Sequence, residues 1–160
     1  MDLSAFYAVV SGVNFTLLGL WWVAVNDRVE LRSSRLAYVV SLQFVIPGTV
    51  SLLSQVAPDA PLLWRSAFTL AGVAGAAAVL LMSHEVAGAA RAAAALLRFG
   101  AVPLYLAVAV VAAVPGATEA AKPTFTSLQI EAILLCLLVF LGVQSAWWIA
   151  MAPAAPQAED

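Results

Sequence analysis

Four polar side chains recur at helical spacing in the first apolar stretch of the sequence: Ser4, Tyr7, Ser11 and Asn14. At about 100° per residue, a helix brings them within one arc of roughly 80°. Hydroxyls and an amide in such a stripe can hydrogen-bond a small solute or coordinate a cation, so the stripe is a candidate path across a membrane. The same stripe can form a seam in which polar groups bond to a neighbouring helix. Both interpretations place it against protein or water instead of lipid.

A second candidate is the stretch SLQFVIPGTVSLLSQ, residues 41–55, in which a proline and a glycine interrupt an apolar run. Pro47 removes a backbone donor and Gly48 adds freedom, which predicts a helix kink. Kinked helices in transporters place freed carbonyls beside substrates and ions, although membrane helices also carry purely structural prolines. We expect Gln43 and Gln144 to bond to neighbouring backbone or to each other. The candidate path residues of the two stretches are Tyr7, Ser11, Asn14, Ser41, Pro47, Gly48 and Ser51.

Two charged residues, Arg65 and Glu131, fall inside apolar stretches. At 1.5 Å per residue they lie about 5 Å and about 6 Å from the same end of their helices. Similar depth and opposite charge predict a salt bridge. The alternative is that Arg65 extends to the headgroups and Glu131 sits at the interface. An unpaired Glu131 in an apolar site would be a candidate proton or cation site.

Residue types that enzymes and cofactor proteins need are scarce. The chain has one histidine, His84, one cysteine, Cys136, and one lysine, Lys122, which lies in a loop. One histidine cannot supply paired haem ligands or a histidine-rich zinc site, and no nucleophile–base pair or nucleotide-binding motif is present. We therefore expect no enzyme, no metal site and no cofactor.

The elements that must position these residues are membrane spans. Hydrophobic residues make up 64% of the 160-residue chain and charged residues only 10%, well outside the range of soluble domains. The net charge of −2, without a basic cluster, argues against nucleic acid as a partner. Five stretches are long enough to cross a bilayer as helices, at about residues 4–25, 36–56, 62–83, 95–114 and 127–152. In the third, small residues around Gly72 and Gly75 predict close helix packing.

The sequence thus predicts an all-α polytopic integral membrane protein, with residues 1–160 forming a single bundle of five transmembrane helices. Five positive charges fall on one side of it, Arg28, Arg32, Arg35, Arg91 and Arg98, and two on the other, Arg65 and Lys122. The excess predicts that the N-terminus lies outside and the C-terminus in the cytoplasm. Tandem tryptophans, Trp21–Trp22 and Trp147–Trp148, then close the first and fifth spans at the cytoplasmic interface.

A chain this short is small for an alternating-access transporter, and a path at the axis between identical subunits is the simpler arrangement. We therefore expect a homo-oligomeric channel or small transporter for ions or small solutes, in a bacterial-type plasma membrane, with its path lined by the first and second spans. One alternative is an accessory subunit of a larger membrane complex. Another is a lipid- or quinone-binding protein that uses Tyr7, Tyr38, Tyr105 and the tryptophans.

Overall fold

The computed structural model describes residues 3–32, 34–56, 60–82, 90–114, 116 and 125–151, and the regular structure of these residues is entirely helical. The helices are α1 (Leu3–Asn26), α2 (Val29–Arg32), α3 (Arg35–Val56), α4 (Pro61–Met82), α5 (Ala90–Leu96), α6 (Val102–Ala113) and α7 (Ser127–Ala150). Five helical segments are long and apolar enough to cross a membrane: α1, α3, α4, the unit Arg91–Ala113 and α7. This confirms an all-helical fold with five helices long and apolar enough to cross a membrane, which indicates a multi-pass membrane protein.

The fourth span is a composite of two α-helices and a π-helical turn. The turn covers Leu97–Ala101, and the backbone N–H of Val102 donates to the carbonyl oxygen of Leu97, five residues earlier. Pro103 follows at the beginning of α6, where a missing N–H is tolerated. The span begins at Arg91, earlier than the sequence indicates at residue 95.

Helix α3 lies at the centre of the bundle and packs against α1, α4 and α7. In its most apolar part 56% of the residues are buried, against 22–33% in the other four spans. Those other spans present large apolar side chains outward, among them Leu20, Leu70, Phe99 and Phe140. Apolar side chains on the outside of the bundle, around a largely buried central helix, suit lipid, because lipid covers the surface that water would not.

The tandem tryptophans of α1 have different environments. Trp21 is buried, and its indole Nε1 donates a hydrogen bond of 3.0 Å to the carbonyl oxygen of Ala37 in α3. Trp22 is exposed, as are Trp147 and Trp148 near the end of α7. Trp21 is thus a core residue that fastens α1 to α3, while the other three occupy the surface position typical of a membrane interface.

Candidate functional site

The polar stripe of α1 faces the central helix of the same chain. Asn14 is fully buried, and its Nδ2 donates a hydrogen bond of 2.8 Å to the carbonyl oxygen of Val10. Its Oδ1 has no hydrogen-bond partner among the residues that the structure describes. Asn14 packs on Gly48 of α3, where an added Cβ would lie 3.2 Å from the Asn14 Cβ. The stripe therefore lines a seam inside the bundle.

Two other stripe residues share this seam. Tyr7 and Ser11 are buried, with 3% and 4% of their surfaces exposed. The hydroxyl of Tyr7 donates a hydrogen bond of 2.8 Å to the carbonyl oxygen of Leu128 at the start of α7. Ser4, one turn earlier, is exposed at the end of the helix. The structure thus brings three of the four predicted stripe residues into the interior.

The candidate residues of α3 lie on its buried face, with one exception. Pro47, Gly48 and Ser51 are buried, and Pro47 stands inside a helix that continues without a break to Val56. The Ser51 hydroxyl has no hydrogen-bond partner in the described part of the chain. Ser41 is only half-buried, and its hydroxyl donates a hydrogen bond of 3.1 Å to the carbonyl oxygen of Ala37. Ser41 therefore lies to one side of the buried polar groups.

Glu131 is positioned by a well-formed helix start. In a reciprocal capping box the Thr126 hydroxyl accepts from the backbone N–H of Gln129, and the Gln129 side chain accepts from the Thr126 N–H. Two residues later, Glu131 is fully buried. Neither of its carboxylate oxygens has a hydrogen-bond partner within the described ranges. Its helix α7 packs against α1, on which Tyr7 bonds to the carbonyl oxygen of Leu128 one turn before Glu131.

Arg65 and Glu131 do not form the predicted pair in the structure. The Nη1 of Arg65 donates a hydrogen bond of 3.3 Å to the carbonyl oxygen of Ala112 in α6. The guanidinium carbon of Arg65 lies 5.0 Å from the centre of the Trp64 ring. The reason is rotational, because α4 turns Arg65 toward α6 while α7 turns Glu131 toward α1. Glu131 is thus a buried carboxyl group that Arg65 does not pair with.

Gln43 belongs to the same interior. Within the described residues it does not make the bond to neighbouring backbone or to Gln144 that the sequence predicts. It is fully buried, and both atoms of its amide lack a hydrogen-bond partner among the described residues. It packs on Gly142 of α7, where a Cβ would lie 2.9 Å from the Gln43 Cβ. Pro47 also removes the N–H that would bond to the Gln43 backbone carbonyl. A glutamine four residues before a proline is the signal that could have identified it.

Ser145 is a further buried group, which sequence reasoning missed, and Tyr105 is another, which it considered only for a lipid or quinone site. Ser145 lies one turn beyond Gly142 on α7, and its hydroxyl is buried without a hydrogen-bond partner in the part of the chain that is described. The Tyr105 hydroxyl on α6 is in the same state. No signal in the sequence separates Ser145 from the other serines of the spans.

A small cavity opens beside Tyr7. Its volume is about 40 Å³, and it is lined by Leu3, Ser4, Tyr7, Ser54, Trp64 and Leu128. This volume suffices for a water molecule, which needs at least about 10–15 Å³ and some polar neighbours. Leu128 lies one helical turn before Glu131, so the cavity places room for water at the same end of the bundle as the buried carboxylate.

Together these side chains form a series of buried polar groups through the bundle. Glu131, Tyr7 and Ser51 lie toward one end, Asn14 and Gln43 near the middle, and Ser145 toward the other end. Leaving such a group without a partner costs about 1–3 kcal/mol, more for a charged group. No group of three or more His, Cys, Asp or Glu side chains among the described residues is arranged to hold a metal. The series can bind a proton, a cation or water through one carboxylate and several amides and hydroxyls.

Comparison of the chain with protein-family models, with curated proteins and with solved structures gives no match.

Proposed function

We propose that this protein is a small membrane channel or transporter that moves protons or small monovalent cations through the interior of its bundle. The observation that carries the proposal is Glu131, a carboxylate with no exposed surface and, in the described residues, no partner for either oxygen. An ionisable side chain at membrane depth is costly and usually marks an ion pathway or a proton relay. Among the described residues, no hydrogen-bond partner supplies the compensation that a structural ion pair would give.

The proposed path begins at the cavity beside Tyr7 and passes Glu131. From there it follows the seam between α1 and α3 past Ser51 and Asn14 to Gln43, and Ser145 of α7 extends it toward the opposite end. Support comes from the burial of these groups and from their unused hydrogen-bonding atoms, which could bind a transported ion or water. The cavity holds about one water molecule, which favours protons and small cations over larger solutes.

This proposal moves the path from an axis between subunits to the interior of each subunit. The buried candidate residues of α1 face α3 of the same chain. One copy therefore carries the whole series of polar groups. A homo-oligomer stays part of the proposal, with each subunit contributing its own path. We further propose a bacterial-type plasma membrane as its location, with the N-terminus outside, because the arginines concentrate between α1 and α3 and around α5.

The experiment is ion flux into liposomes that contain the purified protein. A potassium gradient with valinomycin sets the membrane potential, and an enclosed pH dye or sodium dye reports entry. We expect the wild type to admit protons or one of the monovalent cations. Glu131→Gln should lower the rate at least tenfold, because it keeps the shape of the side chain and removes its ability to carry charge. Glu131→Asp keeps the carboxyl and should retain part of the rate.

Variants on two faces of α1 provide the matched control. Asn14→Leu should lower the rate, since it removes a buried amide from the proposed path. Thr16→Val removes a hydroxyl that is exposed and bonded to the Gly12 carbonyl oxygen at 2.8 Å, and it should leave the rate unchanged. Absence of proton, sodium, potassium and chloride flux in the wild type would overturn the proposal and favour an accessory subunit.

The structure gives little support to a quinone site built from the tyrosines. Tyr7 and Tyr105 are buried, with 3% and 1% of their surfaces exposed, whereas Tyr38 is 54% exposed and lines a separate pocket. The three rings therefore do not surround one cleft. Tyr7 instead stacks edge to face with Phe68, which has the same relation to Trp64, as in a packed core.

A further inference from the structure

We propose that the end of the bundle opposite Glu131 carries a binding site for the headgroup of an anionic phospholipid. The site is a cavity of about 280 Å³ between the end of α1, the short helix α2 and the start of α3. Its polar and aromatic lining consists of Trp22, Asn26, Arg32, Ser34, Tyr38 and Ser41. This inference does not depend on the proposed transport function, because the cavity shares none of the groups around Glu131.

Arg32 supplies the charge at this cavity in a fixed orientation. Its Nε and Nη2 both donate to the backbone carbonyl oxygen of Asn26, at 3.2 Å and 2.6 Å. These two bonds use two of the five N–H groups of the guanidinium and hold its plane against the end of α1. An arginine held in this way presents a positive charge and further donors with little loss of side-chain entropy, which suits a phosphate.

Serine side chains and a helix terminus add to the polar part of the site. Ser34 precedes α3, and its hydroxyl accepts a 3.4 Å bond from the backbone N–H of Ala37. The positive end of the α3 dipole therefore points into the same region as Arg32. Ser41, two turns beyond Ser34, places a second hydroxyl in the lining. These groups complement a negatively charged ester with several acceptor oxygens.

The surroundings favour a lipid as the occupant. Trp22 and Tyr38 border the cavity with 65% and 54% of their surfaces exposed, and such aromatic side chains concentrate where headgroups meet acyl chains. Val25 and Leu31 supply an apolar wall for the glycerol and the first acyl carbons. A site with a basic group, hydroxyls and apolar contacts at the ends of membrane-spanning helices matches a phospholipid better than a free anion.

The net charge of the surrounding segment has the required sign. Residues 26–35 include Arg28, Arg32 and Arg35 against Asp27 and Glu30, which leaves one net positive charge. Asp27 is exposed next to Asn26. An anionic headgroup is therefore attracted to this end of the chain, whereas a zwitterionic headgroup gains much less from it.

The test is lipid binding by the purified full-length chain, measured by native mass spectrometry with phosphatidylglycerol and phosphatidylcholine of identical acyl chains. We expect the wild type to retain one phosphatidylglycerol in preference to phosphatidylcholine. Arg32→Gln should weaken phosphatidylglycerol binding about tenfold and leave phosphatidylcholine binding unchanged, since a charge-assisted bond to phosphate is lost. Arg32→Lys keeps the charge and should show an intermediate affinity. Glutamine can still donate to the Asn26 carbonyl, and circular dichroism verifies that each variant is folded.

Three results would overturn the inference. Equal phosphatidylglycerol affinity of Arg32→Gln and wild type would show that Arg32 does not bind the lipid. An equal loss in Arg91→Gln, at an exposed arginine of α5, would indicate a general effect of surface charge. Displacement of the lipid by an equal concentration of soluble glycerol phosphate would identify a site for a free phosphate ester instead.

Discussion

Gly72 of α4 lies directly against the backbone of Tyr105 in α6: a Cβ atom at residue 72 would fall 2.5 Å from the Tyr105 carbonyl oxygen. The same hypothetical atom would lie 2.7 Å from the backbone nitrogen of Ala109. One turn along, a Cβ at Gly75 would meet the Tyr105 ring at 2.5 Å. Helices α4 and α6 are therefore in backbone contact, which is how membrane helices gain packing energy where hydrophobic burial contributes little.

Gly72→Ala should destabilise the bundle, because its methyl group can be accommodated only if the two helices separate. We expect a loss of about 1–3 kcal/mol in the free energy of unfolding, as for other overpacked contacts. Unfolding in mixed micelles of increasing denaturing detergent measures it. Gly19→Ala is the matched control, since no described atom lies within 4 Å of a Cβ there. Equal stability of the two variants would contradict the backbone contact.

Gln43→Met should make the protein more stable and less active. The change keeps the side-chain volume beside Gly142 but removes an amide that lacks a partner among the described residues. We expect a gain of about 1 kcal/mol in the free energy of unfolding, together with lower ion flux. The half-buried Gln144, changed to Met in the same way, should alter neither quantity. A loss of stability in Gln43→Met would instead show that the amide is bonded within the bundle.

A double-mutant cycle on Arg65 and Glu131 should show little coupling. Arg65 bonds to Ala112, so Arg65→Gln and Glu131→Gln should change the free energy of unfolding independently. We expect a coupling energy below about 0.5 kcal/mol, the value typical of groups that do not touch. A coupling of about 3 kcal/mol or more is the signature of a buried ion pair and would restore the pairing that the sequence suggests.

Cys136 provides a label without any mutation, because it is the single cysteine of the chain and is exposed. It lies in an apolar groove with Phe6 of α1 and Ile133 of α7. A nitroxide attached to it in liposomes should collide often with dissolved oxygen and rarely with an aqueous nickel chelate. A label at Asp27→Cys in a Cys136→Ser background should show the reverse. Frequent collisions of the Cys136 label with nickel would place this face of α7 in water.

The five helices could be predicted because their cause is local. Apolar stretches of about 20 residues have one stable form in a bilayer, and charged or proline-containing segments separate them. The inward orientation of Tyr7, Ser11 and Asn14 was also predictable, since a polar stripe on one helix face must turn from lipid. The close packing around Gly72 follows from the spacing of small residues in the same way.

The neighbours of each polar group could not be predicted, because they depend on helix order and rotation. Arg65 and Glu131 have similar depths, yet the rotation of α4 directs the guanidinium to Ala112. Trp21 and Trp22 are adjacent and chemically identical, yet only Trp21 reaches the Ala37 carbonyl. The π-helical turn at Leu97–Ala101 likewise has no counterpart in the pattern of hydrophobic residues. Each of these outcomes is set by tertiary contacts that a single sequence does not display.

The hydrogen bond from Trp21 to Ala37 also has a consequence for synthesis of the chain. Its partners are separated by 16 positions, so a nascent polypeptide can close the α1–α3 hairpin soon after α3 leaves the ribosome. The carboxylate of Glu131, by contrast, enters the membrane only with α7, which is translated long after α1 and α3. Until α7 arrives, the groups on α1 and α3 that face it remain uncovered. The interior between α1 and α3 is therefore covered only when α7 inserts together with its acidic side chain.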